Sequence, residues 1–134
     1  MKKLLLTAMA LTFSVSAFTC DNISSGEYLC AFASGKVEKM TVDYGVDDRG
    51  DYVVLNQENE RFHLDGNPTA LNSNGNFLNV VSRCSEDQRT LSVEMNVYGS
   101  EEDFGSIKLT STKANRVVLK KSLKGKAELA FCFK

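Results

Sequence analysis

Hydrophobic and polar residues alternate most cleanly between Arg89 and Tyr98. Leu91, Val93, Met95 and Val97 fall on one parity, and Thr90, Ser92, Glu94 and Asn96 on the other. A period of two over a strand's length, with β-branched residues in the apolar set, predicts a strand with one buried and one wet face. A helix, at 3.6 residues per turn, would scatter the same side chains around its axis. The second cleanest alternation closes the chain. There Ala127, Leu129, Phe131 and Phe133 stand against Lys126, Glu128, Ala130 and Cys132, which predicts a last strand whose aromatic side packs inward.

Shorter runs fill the space between. Gly26 to Ala33 reads as a strand with Tyr28, Cys30 and Phe32 on one side, followed by a two-residue turn at Ser34-Gly35. Met40, Val42 and Tyr44 share a face of the next strand. Tyr52 to Leu55 and Phe62 to Leu64 flank a turn at Asn56 to Asn59. Phe77 to Cys84 is apolar on both parities, so its pattern leaves the inward side open. Ile107 with Leu109, and Val117 with Leu119 and Leu123, mark two further strands. Gly45 to Gly50 reads as an acidic loop. Asp65 to Asn76, which holds the only proline and is dense in turn formers, reads as the longest irregular stretch.

No amphipathic helix emerges from this pattern. The expected fold is all-β: an antiparallel meander of about eight to nine short strands. We favour closure into a small barrel over a β-sandwich, because closure removes exposed edges. A barrel of about eight strands encloses its own side chains or one small ligand.

Composition adds that this is one domain. The chain has 134 residues, 43% hydrophobic and 25% charged, an ordinary globular balance. Its first residues stand apart. Lys2 and Lys3 precede an apolar run from Leu4 to Val15, and Val15-Ser16-Ala17 supplies small residues for a cleavage site. This predicts a secretory signal peptide over residues 1–17, too short to span a bilayer comfortably, and a single β-barrel domain over 18–134. Lipidation at Cys20 fits poorly, since Phe18 and Thr19 depart from the usual residues before a lipidated cysteine. The protein is therefore expected to be exported, periplasmic or extracellular.

Export changes how the cysteines read. Cys20, Cys30, Cys84 and Cys132 form an even set in an oxidising compartment, so two disulfides are expected. Of the three pairings, we prefer Cys20–Cys30 with Cys84–Cys132, tying the N-terminus to the first strand and a middle strand to the last. A zinc site would need closely spaced ligands, but the chain has no Cys-x-x-Cys and only one histidine.

Charge is unevenly spread. Residues 18–103 hold 6 basic and 16 acidic side chains, and residues 104–134 hold 8 basic and 1 acidic. Lys120, Lys121, Lys124 and Lys126 are the candidate patch for docking an anionic protein surface. The plainer alternative is that barrel closure sets these lysines beside the acidic first half. An acidic exported chain without interleaved aromatics and bases is not expected to bind nucleic acid. Stable membrane insertion is not expected either.

The chemistry-bearing residues form no recognisable site. His63 sits on a polar parity beside Arg61 and is expected to be exposed, and no Gly-x-Ser-x-Gly motif accompanies it. Asp43, Asp47, Asp48 and Asp51 lack the alternating spacing of a calcium loop, and Glu101-Glu102-Asp103 reads as a wet turn. No catalytic residue, metal or cofactor is expected. Two resemblances rest on the first strand. Gly26-Glu27-Tyr28 resembles the Gly-x-Trp of lipocalin-type carriers, with tyrosine where they have tryptophan. Tyr28-Leu29-Cys30 resembles the Tyr-x-Cys strand of small exported barrels that inhibit lysozyme, although their Ser-Gly-x-x-Tyr motif is not matched. The first resemblance implies an interior apolar ligand, the second a partner enzyme bound at the surface. The functional expectation is an exported, non-enzymatic binding protein. It would hold a small apolar ligand or a partner protein, with enzyme inhibition through the surface as the alternative.

Overall fold

Strand periodicity becomes ladder along nearly the whole chain. The computed structural model describes residues 20–56, 60–100 and 102–134, so the expected signal peptide lies outside the described residues, as do residues 57–59 of the expected 56–59 turn and Glu101. Ten strands follow one another: β1 Gly26–Phe32, β2 Val37–Asp47, β3 Gly50–Leu55, β4 Phe62–His63, β5 Thr69–Ser73, β6 Asn76–Cys84, β7 Thr90–Val97, β8 Asp103–Lys113, β9 Arg116–Leu123 and β10 Lys126–Phe133. The described residues form no helix. All ten strands are antiparallel neighbours in one sheet, ordered β4-β3-β2-β1-β10-β9-β8-β7-β6-β5. The all-β meander is thus formed, as a single curled half-barrel in which the first and last strands pair.

The edges of the curl are therefore β4 and β5, which follow each other in sequence. Beyond β4 the chain reaches across to β6: Asp65 bridges to Arg83, and the Gly66 amide donates to the Ser82 carbonyl at 3.0 Å. Two expected loops are shorter than their composition suggested. β2 continues through Asp47, leaving Asp48-Arg49 as a tight turn, and Thr69–Ser73 pairs with β6 instead of staying irregular. The hairpins at Asn74-Gly75 and Lys124-Gly125 put both residues at positive φ, the backbone that matches strand twist.

The interior is laid out in rows across the strands. One row runs Phe32, Ala130, Leu119, Leu109, Leu91, Cys84 through five consecutive ladders. Leu91 and Val93 of β7 are fully buried, as their parity requires. In β6 the ambiguity is resolved inward for Leu78, Val80 and Ser82, while Phe77 faces water. β10 is inverted relative to expectation. Ala130 and Cys132 are buried, whereas Leu129, Phe131 and Phe133 are exposed. The reason is local: Cys132 lies opposite Cys30 and bonds to it on the interior side, so period two turns Phe131 and Phe133 outward. Small Ala130 leaves room for Phe32 and Leu119, its neighbours in the row.

The cysteine pairing also differs from the preferred one. The bonds are Cys20–Cys84 and Cys30–Cys132. Cys30 and Cys132 are register partners with Cα atoms 4.0 Å apart, because closure of the meander sets β1 beside β10. Cys20 is carried to the end of β6, with its Cα 5.5 Å from that of Cys84.

The lead from Cys20 to Ser25 plugs this end of the barrel. Ile23 is fully buried. The Tyr28 hydroxyl donates to the Ser24 carbonyl at 2.7 Å, and that of Tyr44 to the Ile23 carbonyl at 2.8 Å. Burial pushes the Tyr44 hydroxyl pKa upward, which suits a phenol held as a donor. The Asn22 amide and side chain donate to the carbonyls of Gln88 and Asp87 at 3.2 and 3.0 Å.

Candidate functional site

Three places carry more than structure alone requires. The first is the outer face of β1, β10, β9 and β8. Ladder register sets Ala31, Phe131, Val118 and Thr110 in one outward row, and Leu29, Phe133 and Arg116 in the next. A third row reads Leu129, Lys120, Lys108. Phe131 is 62% exposed and Phe133 48%, so an aromatic and aliphatic stripe lies in water beside a strip of cations. Two neighbouring grooves cross this face. One of about 550 Å³ is lined by Arg116, Val118, Phe131 and Phe133, and one of about 370 Å³ by Lys108, Lys120 and Leu129.

The candidate lysines divide between the two faces. Lys120 belongs to the outer face. Lys121 has the opposite parity and stands at the open end of the barrel, across from Ile107 and Glu128. Lys124 occupies the β9–β10 turn with its ammonium 5.6 Å from the Phe104 ring centre, and Lys126 opens β10 opposite Leu123. The cation that the structure brings to Lys120 is Lys108, directly across the ladder. Among the described residues, none of Lys108, Lys113, Arg116, Lys120 or Lys121 has a carboxylate within ion-pairing distance. Among the described residues these cations are therefore without a carboxylate partner. Register was the missing signal: Lys108 and Lys120 become neighbours only once β8 and β9 are paired.

The second place is the open end itself. A pocket of about 180 Å³ enters there, with Phe32, Met40, Leu55, Ile107 and Leu119 among its walls and Glu38, Lys39, Asn56 and Lys121 at its rim. Neither Phe131 nor Phe133 fills it, since both face outward.

The third place is the seam between β4 and β5. His63 was expected in water, but its side chain is only 12% exposed. It packs edge-on to Tyr52, with ring centres 5.7 Å apart. Its Nε2 lies 2.9 and 2.8 Å from the two carboxylate oxygens of Asp47. A carboxylate only accepts, so Nε2 carries the proton. The other nitrogen, Nδ1, is buried without a partner among the described residues. Arg61 donates to Asp47 at 3.1 Å. Arg49 grips Asp65 through two bonds of 2.9 and 3.0 Å and reaches the Asn67 carbonyl at 3.1 Å. Among the described residues His63 hydrogen-bonds only Asp47, and Arg49 also donates to the Thr69 hydroxyl, so the network reads as a clasp for the β2–β3 turn and the chain after β4.

This clasp sets a pH dependence. The hydrogen bond from His63 draws the Asp47 carboxyl down to about 2, and that from Arg49 draws Asp65 down to about 2. Their unfolded values lie near 3.8, so the stabilisation is complete above that pH and is lost as pH falls toward 2. Urea midpoints measured at pH 7, 4 and 2 are expected to drop mainly over the last interval. Asp47→Asn and Asp65→Asn should begin lower at pH 7 and decline less. A parallel decline in wild type and both variants would rule out these carboxylates as the source.

Among the described residues, no group of three or more His, Cys, Asp or Glu side chains is arranged to hold a metal ion. Comparison with family models, curated proteins and solved structures finds no match to this chain. The first-strand resemblances to lipocalin-type carriers and lysozyme-inhibiting barrels gain no support from these comparisons.

Proposed function

We propose that this is an exported, non-enzymatic binding protein that grips an acidic partner protein through the outer face of β1, β10, β9 and β8. The observation that carries the reading is the stripe of Leu29, Leu129, Phe131 and Phe133 beside the facing pair Lys108 and Lys120, which has no carboxylate partner among the described residues. Exposed apolar surface costs free energy that a partner would recover. Like charges directly opposed in a ladder are mutually destabilising, and an acidic partner relieves that repulsion. The same charge disfavours a second copy of the chain, whose face would bring four facing lysines together. Export rests on the lysine pair, apolar run and small residues of 1–17 together with the two disulfides. No described helix is long and apolar enough to cross a membrane.

The test is quantitative capture from an envelope extract, comparing wild type with Lys108→Glu/Lys120→Glu and with Phe131→Ser. Both variants alter exposed positions, so thermal unfolding should move little. A bound protein that is released by 0.5 M salt, and whose recovery falls at least about tenfold in either variant, is the expected result. Recovery unchanged in both variants would overturn the reading. So would concentration-dependent dimerisation that Phe131→Ser abolishes, since the face would then be occupied by a second copy.

A further inference from the structure

The pocket at the open end of the barrel is a site separate from the outer face. Its walls are Phe32, Met40, Leu55, Ile107 and Leu119, drawn from β1, β2, β3, β8 and β9, with the Cys30–Cys132 bridge beneath them. At about 180 Å³ it has the volume that takes up a benzene ring or a chain of about six carbons, since dry apolar cavities of ~150 Å³ bind benzene. The opposite end of the barrel is occupied by the Cys20–Ser25 lead, whose Ile23 is fully buried.

Charge at the rim is selective. Lys36 holds both nearby acids, Glu38 at 3.2 Å and Glu128 at 3.8 Å, and its ammonium also sits 4.7 Å from the Phe32 ring centre. Lys39 is turned to Glu27 at 3.6 Å. That leaves Lys121, which has no carboxylate within ion-pairing distance among the described residues. Asn56 lines the same pocket. The Asn56 Oδ1 already accepts the Thr41 amide at 3.2 Å, so its NH₂ is the group left to donate. A cation and an amide donor above an apolar well match one chemistry: a carboxylate carried on a short hydrocarbon.

We infer that this pocket binds a free monoanionic amphiphile, a carboxylate with a hydrocarbon part of about six to eight carbons. The tail lies against Ile107, Leu119 and Met40, and the carboxylate meets Lys121 and Asn56. The depth of the well sets an upper limit on tail length, because further methylenes would project into water and gain nothing. This distinguishes the pocket from the outer stripe, on which a longer chain would keep adding contact.

The test is an NMR titration of the disulfide-bonded mature chain with a carboxylate series from butanoate to tetradecanoate, and with octanol and octylammonium. Saturable shifts are expected at the methyl groups of Leu55, Ile107 and Leu119, with affinity rising to octanoate and then levelling. Octanoate should bind tighter than octanol, and octanol tighter than octylammonium. Lys121→Met, an exposed substitution, should weaken octanoate about tenfold and leave octanol unchanged. Ile107→Trp, filling the well, should abolish both, and Phe131→Ser should alter neither. The inference falls if affinity climbs steadily to tetradecanoate, if Lys121→Met leaves octanoate binding intact, or if the shifts map to Val118 and Leu129 and vanish in Phe131→Ser. None of these outcomes depends on whether the outer face captures a protein.

Discussion

Replacing Cys30 and Cys132 together by alanine is expected to lower the unfolding free energy by about 4.7 kcal/mol. The bond joins residues 102 positions apart, so it constrains nearly the whole unfolded domain. Its removal returns that freedom to the denatured chain, which is where most of the loss originates. The native ladder gives no reason to rearrange. Leu29–Phe133, Ala31–Phe131 and Phe32–Ala130 still pair on either side of the vacated position. Urea unfolding without reductant should therefore show a lower midpoint and a steeper dependence on denaturant, because the unlinked chain exposes more surface. A domain of ordinary stability has about 5–15 kcal/mol in total, so this one change removes a large fraction. The Cys20–Cys84 bond spans 64 positions and should cost a similar amount by the same account, but its loss also frees the plug. Protease sensitivity at residues 20–25 should then increase in Cys20→Ala/Cys84→Ala and not in the first variant. An unchanged midpoint in the first variant would mean that the ladder alone holds β1 to β10.

The two pairings show where sequence reading stops. That the cysteines are oxidised followed from their number and the export-like leader. Which ones meet depended on the chain's ends becoming neighbours, and no local pattern states that. Proximity along the chain favoured Cys20 with Cys30, yet register favoured Cys30 with Cys132 by placing their Cα atoms 4.0 Å apart. The same fact decided β10. Alternation identified the strand and its two faces correctly, but both faces carry apolar residues. Hydrophobicity alone chose the bulkier one, whereas the interior takes Ala130 and Cys132 because Phe32 and Leu119 already fill the space beside them. Inverting β10 is also what makes the outer stripe.

Parity was informative where one side was plainly polar. Leu91, Val93 and Met95 point inward as the pattern of β7 required, with Leu91 and Val93 fully buried. It was uninformative for His63, whose strand is two residues long and whose surroundings come from elsewhere: Asp47 from the end of β2 and Tyr52 from β3. Gly45 is a similar case. It looked like the start of a loop, but it is a strand position opposite Tyr52, and any side chain there would collide with the tyrosine ring. Turn-forming composition likewise concealed β5, which pairs through Thr69, Ala70 and Leu71 although asparagine and glycine follow closely. In each case a cross-strand partner overrode the local tendency.

Leu109→Ala is expected to destabilise the protein by about 3 kcal/mol, within the 2–5 range of buried leucine truncations. Leu109 is fully buried at the middle of the interior row, between Leu91 on β7 and Leu119 on β9. Backbone ladders fix β7, β8 and β9 on both sides of it, so the surroundings have little room to close over the vacated volume. Leu119→Ala should cost less, toward the lower limit, because Leu119 already borders the open-end pocket and part of its surface faces existing space. Leu129→Ala on the outer face of β10, where the side chain is 40% exposed, should cost less than about 1 kcal/mol. Urea midpoints for the three alanine variants thus order the sites as centre, pocket wall and outer face. A loss at Leu129 equal to that at Leu109 would place the aromatic side of β10 inside the barrel, and the binding face proposed here would not exist.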